Sequence, residues 1–249
     1  MLQNQRGIQS VEVACQILHV ICSSYKPLSL SEIAERVDMA PGSVHIYLVS
    51  LIRTGLLKRN EITLEYGPGA LGLRLGISHF DNNPTLTKAK EKLSELAQKY
   101  NLNVFLSLWS NEGPTVIFYR EFAGFLNISF KLGITLSLLE TTTGHLFCAY
   151  KDKSEIINIL DRKDPSKKLS TSFSSGKFQE KIKNIRHDAI VISENLPTYG
   201  ITAIAVPVID QVNQMNLALT VFTETEKIEA MSNTKDILIE DLKQIALSL

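Results

Sequence analysis

The sequence predicts an α+β protein of two domains: an N-terminal winged helix-turn-helix, then an antiparallel sheet with helices grouped beside it. Three observations carry that prediction. Within residues 1–76 helical spacing of apolar side chains recurs three times and is followed by a pair of short β-prone runs. From residue 102 onward strand-like and helix-like runs follow one another in the order sheet, helices, sheet, which is α+β patterning. A length of 249 residues suits two medium domains.

The first helix is expected over 10–24, "SVEVACQILHVICSS", where Val11, Ala14, Ile17, Leu18, Ile21 and Cys22 share helical spacing and Ser10 stands as cap. The second lies in "SLSEIAERV" (29–37), where Ser29 and Glu32 have the spacing of a capping box that satisfies orphan amides at a helix start. Three or four residues later Pro41 opens the third helix, with Val44, Leu48, Leu51 and Ile52 as its core stripe and Gly55 near its end. "LLKRNEITLEYGPG" (56–69) reads as two short strands around Arg59-Asn60-Glu61, the wing. A Gly- and Asn-punctuated connector with a short helix over 70–77 follows, then a periodic helix at 84–101 carrying Leu86, Ala89, Leu93, Leu96 and Ala97 on one side. Strands are expected at 104–110, 115–121 and 125–132, helices at 141–151, 154–160 and 176–188, strands again at 189–193, 201–209 and 215–223, and a closing helix at about 229–248. The domains so predicted are 1–76 (DNA-binding), 77–101 (linker helices) and 102–249 (ligand-binding).

Charge narrows the function. With 26 basic and 26 acidic side chains the net charge is zero, whereas a protein that coats nucleic acid is strongly basic, so any DNA contact must be local. The first ten residues, "MLQNQRGIQS", lack the layout of a signal peptide, and runs such as "AIAVPVI" (203–209) are too short to span a bilayer. Cys15, Cys22 and Cys148 lack metal-ligand spacing and read as buried thiols of a reducing, cytoplasmic compartment. Neither a metal nor a cofactor is expected. The chain has no G-x-S-x-G elbow, P-loop, dinucleotide fingerprint or H-E-x-x-H, and its five histidines are scattered, so no enzyme activity is expected.

On a helical wheel the face opposite the core stripe of the third helix holds Gly42, Ile46, Ser50 and Arg53, with Ser43, His45 and Tyr47 beside it and Lys58 and Arg59 beginning the wing. Inserted in a major groove, Gly42 would let the backbone approach, while Ser43 and Tyr47 would donate to phosphate. Two readings stand for each of these residues. Ser43, Ser50 and Tyr47 also suit a merely solvated face, Lys58 and Arg59 an ordinary exposed pair, and His45 a packed, hydrogen-bonded position. Ile46 suits either a thymine methyl or a surface that does not touch DNA. Residues 1–75 hold seven basic and six acidic side chains, a net of +1, and four of the basic ones (Lys26, Arg53, Lys58, Arg59) are placed to reach phosphate. At a salt slope of about −0.9 per phosphate neutralised, one copy binds feebly, so DNA binding demands a dimer or larger assembly. A different class stays open: a ligand-binding oligomer whose N-terminal module contacts protein rather than DNA.

The chain resembles the IclR family of bacterial transcription regulators over nearly its whole length. The resemblance lies in "GIQSVEVACQIL" (7–18), "LSLSEIAERV" with "SVHIYL" (28–48), "RTGLLKR" (53–59), "YGPGALGLRLG" (66–76), "TTTGHLFCA" (141–149) and "GITAIAVPVID" (200–210). It implies a winged helix-turn-helix, a C-terminal effector-binding domain of GAF-like or profilin-like fold, dimers or tetramers, and small organic acids, often intermediates of aromatic or carbon-source catabolism, that alter operator binding. Against the family pattern His45 falls at the usual histidine, while Ile46 stands where arginine is common, His145 where lysine is common, Ser193 where an acid is common and Ala203 where cysteine is common.

An acid pocket needs donors gathered at one end of an apolar cavity, often a helix N-terminus. "ETTTGHL" (140–146) supplies Thr141, Thr142, Thr143, Gly144 and His145 there, though capping alone also explains the threonines. "ISENLPTYGITAIAVPV" (192–208) is expected as the other wall, with Ser193, Glu194 and Ala203 as contact candidates; Ala203 and Ala205 on one strand face leave room for a ligand or for a helix. Thr220, a polar group in the apolar strand "LALTVF" (217–222), completes the candidates, and Phe118, Phe125 and Phe130 are assigned to the core.

Overall fold

The computed structural model describes residues 7–24, 26–122, 131–231 and 233–249. The chain divides into two compact units, Met1–Pro84 and Thr85–Leu249.

The first unit contains α1 (Gln9–Cys22), α2 (Leu30–Arg36), α3 (Pro41–Arg53), the wing strands β1 (Leu57–Arg59) and β2 (Tyr66–Pro68), and α4 (Ala70–Asp81). Ile17, Ile21, Ile33, Val44, Leu48 and Leu51 meet Leu28, Leu57 and Tyr66 in one core. The capping box forms: the Ser29 amide donates to Glu32 Oε2 at 2.8 Å and the Glu32 amide to Ser29 Oγ at 3.3 Å. Those bonds, with Lys26 close by, hold the Glu32 carboxyl down to about 2. Asp38, at φ 52°, makes the left-handed turn into α3, which opens on Pro41, and Gly55 at φ 77° carries the chain out of it. In the wing loop Asn60 Oδ1 accepts from the amides of Ile62 and Thr63 at 2.8 and 3.0 Å.

Four expectations change here. Ser10 is not the cap of α1, which starts at Gln9 after Ile8 with no side-chain cap. Cys15 and Cys22 are exposed, because α1 buries only Ile17 and Ile21; Cys148 alone is buried. The break between the wing strands spans 60–65 rather than Arg59-Asn60-Glu61, since β1 includes Arg59 and β2 starts at Tyr66. The short helix expected over 70–77 runs to Asp81, and none of its residues is buried.

The second unit contains α5 (Pro84–Tyr100), β3 (Asn103–Ser110), β4 (Gly113–Arg120), α6 (Thr142–Tyr150), α7 (Lys153–Lys163), α8 (Lys168–Phe173), α9 (Gly176–Asp188), β5 (Val191–Glu194), β6 (Ile201–Ile209), β7 (Met215–Glu224), α10 (Thr225–Ala230) and α11 (Asn233–Leu247). Among the described residues its five strands form one antiparallel sheet in the order β4-β3-β7-β6-β5. Leu86, Ala89, Leu93, Leu96 and Ala97 of α5 are all buried. Tyr100 donates to Asp241 at 2.7 Å and Lys99 pairs with the same carboxylate at 2.6 Å, joining α5 to α11. Leu146, Phe147, Ile156, Ile159, Phe173 and Ile185 pack from α6 to α9 against Ala205 and Ala218 of the sheet. The expected strand at 125–132, with Phe125 and Phe130, falls largely outside the described residues, and Phe118 is only half-buried. The closing helix expected at about 229–248 is α11, while α8 and α10 were not expected.

Candidate functional site

Among the described residues two surfaces carry the candidate chemistry, one in each unit. In the first, α3 buries Val44, Leu48 and Leu51 and thereby turns the opposite face outward. Gly42, Ser43, His45, Ser50 and Arg53 are exposed, Tyr47 is half-buried against the core, and Lys58 and Arg59 are exposed on β1. His45 is therefore not the packed histidine that sequence left open. Ile46 is 68% exposed, a large apolar side chain in the middle of this face. A Cβ on Gly42 would meet nothing within 4 Å, so the fold itself makes no demand for glycine there.

The cations of this face are not equivalent. Lys26 pairs with Glu32 at 3.3 Å. Arg59 donates from Nε to the Leu64 carbonyl at 3.2 Å and lies over the Tyr66 ring at 5.5 Å. The side chains of Arg53 and Lys58 make no hydrogen bond or ion pair among the described residues.

The second surface is a cavity of about 290 Å³, near the lower end of the roughly 300–1,000 Å³ range of small-molecule sites. Strand register builds its floor. Ala203 lies opposite Phe222, and Thr220 opposite both Ala205 and Phe105, so these side chains share one face of the sheet. The segments 134–137 and 196–198 form its sides, and Glu140 with the first turn of α6 forms its end. Thr141 caps that helix, accepting from the Gly144 amide at 2.9 Å and donating to the Ser137 carbonyl at 2.7 Å. Thr143 and Thr220, both buried, bond hydroxyl to hydroxyl at 2.9 Å. Thr142, only 2% exposed, has a hydroxyl with no hydrogen-bond partner among the described residues.

Of the residues predicted to contact an effector, Thr141, Thr142, Thr143, Ala203 and Thr220 therefore meet at the cavity. The other four do not line it. A Cβ on Gly144 would stand 2.1 Å from the Ser137 carbonyl, so this glycine lets α6 press against the chain before it. His145 is buried on that same side, with Nε2 2.7 Å from the Leu139 carbonyl and its ring edge-on to Phe178 at 5.2 Å. Burial lowers its pKa. Ser193 pairs with Ala203 one strand further out, and Glu194 is exposed. Sequence reasoning missed Phe105, Phe222, the 134–137 segment and Glu140. The two phenylalanines were recoverable only from register, but Glu140 stands directly before the threonine run that was singled out.

No helix among the described residues is long and apolar enough to cross a membrane, and no group of histidine, cysteine and acidic side chains among them is arranged to hold a metal. Comparison with known proteins adds two family matches. The profile described as bacterial transcriptional regulator IclR C-terminal matches residues 78–249, and that of the IclR helix-turn-helix domain matches residues 10–61. The chain is 26% identical over 208 residues to the glycerol operon regulatory protein of Streptomyces coelicolor, covering 83% of this chain and 81% of that one. It is 21% identical over 250 residues to the HTH-type transcriptional regulator BhcR of Paracoccus denitrificans, covering 99% and 89%. In fold it resembles the crystal structure of an IclR transcriptional regulator from Alicyclobacillus acidocaldarius, with a TM-score of 0.79, 22% identity and 97% of each chain covered.

Proposed function

The chain belongs to the IclR family of bacterial transcription regulators, and on that footing we propose a division of labour: residues 1–76 bind an operator, 77–101 link, and 102–249 bind an effector that alters operator binding. The relatives named above are regulators, which supports a DNA partner over a protein partner for the N-terminal module and a regulatory rather than an enzymatic role. The proposed DNA contacts are Gly42, Ser43, His45, Ile46, Tyr47, Ser50, Arg53, Lys58 and Arg59, in a dimer or tetramer working in the cytoplasm. The proposed effector is a small organic acid, aromatic or keto acids being the first to try, with its body on Phe105 and Phe222 and its acceptor end at the first turn of α6.

One observation carries the effector reading. At the N-terminus of α6, where backbone amides lack intrahelical partners and favour negative charge, a buried Thr142 hydroxyl beside an apolar cavity also has no partner among the described residues. Coupling then follows from differential affinity: an effector that binds one arrangement of the assembly better shifts the population toward it. The test is DNA binding to the region around the protein's own gene, with and without candidate acids. Binding that falls steeply with salt and shifts with an acid supports the reading. Undetectable binding at low salt would leave the protein-contact alternative.

A further inference from the structure

The effector end of the cavity has an unusual balance of charge. Among the described residues no lysine, arginine or histidine lines the cavity, and the one ionisable lining residue is Glu140. The resemblance expects an acidic side chain at position 193; here that position is Ser193, which does not line the cavity, and the carboxylate comes from the other end of the site. A helix N-terminus supplies roughly half a positive charge. Against the full negative charge of Glu140, the fixed charge around a bound ligand is therefore about half a unit negative. One ligand carboxylate is tolerable if amides and hydroxyls hold it. A second negative charge would face that carboxylate with no cation among the described lining residues to pair with.

The hydrogen-bond inventory is equally one-sided. The amides of Thr142 and Thr143 lie in the first turn, and the Thr142 hydroxyl has no partner among the described residues, so the α6 end offers donors to an acceptor. The Thr143–Thr220 pair spends one of its two hydroxyl protons on the mutual bond and leaves the other for a third group. Glu140 offers only acceptors.

We propose that the cavity selects an apolar-bodied hydroxy acid with a single negative charge: its carboxylate accepts from the first turn of α6 and its neighbouring hydroxyl donates to Glu140, while dicarboxylates and phosphate esters are rejected. This rests on the effector reading given above and narrows it.

The experiment measures binding of three ligands with one phenyl body, phenyllactate, phenylpropanoate and phenylsuccinate, to the full chain and to Glu140→Gln by calorimetry at pH 7. The full chain should bind phenyllactate about tenfold tighter than phenylpropanoate, the worth of one hydrogen bond to a charged group, and phenylsuccinate weakest of the three. Glu140→Gln, at an exposed position that leaves the core intact, should lose most of the hydroxyl preference and gain at least tenfold for phenylsuccinate. Phenylsuccinate binding the unaltered chain as tightly as phenylpropanoate overturns the proposal, as does a hydroxyl preference that survives in Glu140→Gln. If none of the three binds either protein at millimolar concentration, the effector reading itself fails, a result distinct from wrong selectivity.

Discussion

Thr142 and Thr143 are neighbours of the same type, both buried, yet replacing each by valine should change stability in opposite directions. Valine keeps the shape of threonine and exchanges the hydroxyl for a methyl. At Thr142 the hydroxyl has no partner among the described residues, and an unsatisfied buried polar group costs about 1–3 kcal/mol. Thr142→Val removes that cost, so the unliganded protein should gain about 1–2 kcal/mol. At about 2–4 °C per kcal/mol for a unit of roughly 150–250 residues, the melting temperature of the Thr85–Leu249 unit should rise by about 2–8 °C. Thr143→Val instead strands the Thr220 hydroxyl, bonded to it at 2.9 Å, and should cost about 1–3 kcal/mol. Adding Thr220→Val to Thr143→Val should recover most of that loss, since replacing both partners of a bond by apolar groups of the same shape is nearly neutral. The assay is calorimetric or urea unfolding of unliganded protein at fixed pH. A loss of stability in Thr142→Val would show that its hydroxyl is satisfied, and would remove the donor held in reserve for a ligand.

Three further predictions concern other parts of the chain. Lys58→Ala in both copies of a dimer should reduce the salt slope of DNA binding by about 1.8, at about 0.9 per phosphate contact; Lys26→Ala should reduce it by less than half that, because Glu32 already neutralises Lys26. Titrating affinity against salt on any duplex of fixed length checks this, and equal effects from the two lysines would refute it. Ile46→Ala should relax base preference at one position per half-site if the exposed side chain reads a thymine methyl, as selection from a randomised duplex pool would reveal. His145 is held neutral by burial, its folded pKa below the usual 6.5, so the unfolded chain takes up the proton first as pH falls. Its contribution is complete above that value and is lost as pH drops below it toward the folded pKa; His145→Gln should flatten the decline in melting temperature as pH falls below about 6.5.

The parts legible in the sequence were those with a one-sided pattern. The α2 capping box, Pro41 at the start of α3 and the buried stripe of α5 each have a local cause, and the structure shows all three. The orientation of α6 had no such signal. Every residue from Thr142 to Ala149 is buried, so the helix is enclosed all round and its periodicity names no face. That is why Gly144 and His145 were grouped with the threonines although they turn away from the cavity. Phe105 and Phe222 were illegible for another reason: they meet through register between strands more than a hundred residues apart. The six-residue α8 is shorter than any window in which helical periodicity can be counted.

The two sides of the first turn of α6 suit complementary jobs under the proposed reading. Its rear is tied to the preceding chain three times. Gly144 admits the Ser137 carbonyl where any Cβ would collide, His145 bonds the Leu139 carbonyl at 2.7 Å, and Cys148 donates to the Leu138 carbonyl at 3.6 Å. Its front holds the unpaired hydroxyl and the first-turn amides. A ligand group pulling on that front therefore moves or stiffens the helix together with segment 137–140, which also supplies Ser137 and Glu140 to the cavity. Close-packed contacts of this kind pass on displacement rather than absorb it. Gly144 and His145 thus do not line the cavity but fasten the helix whose first turn does.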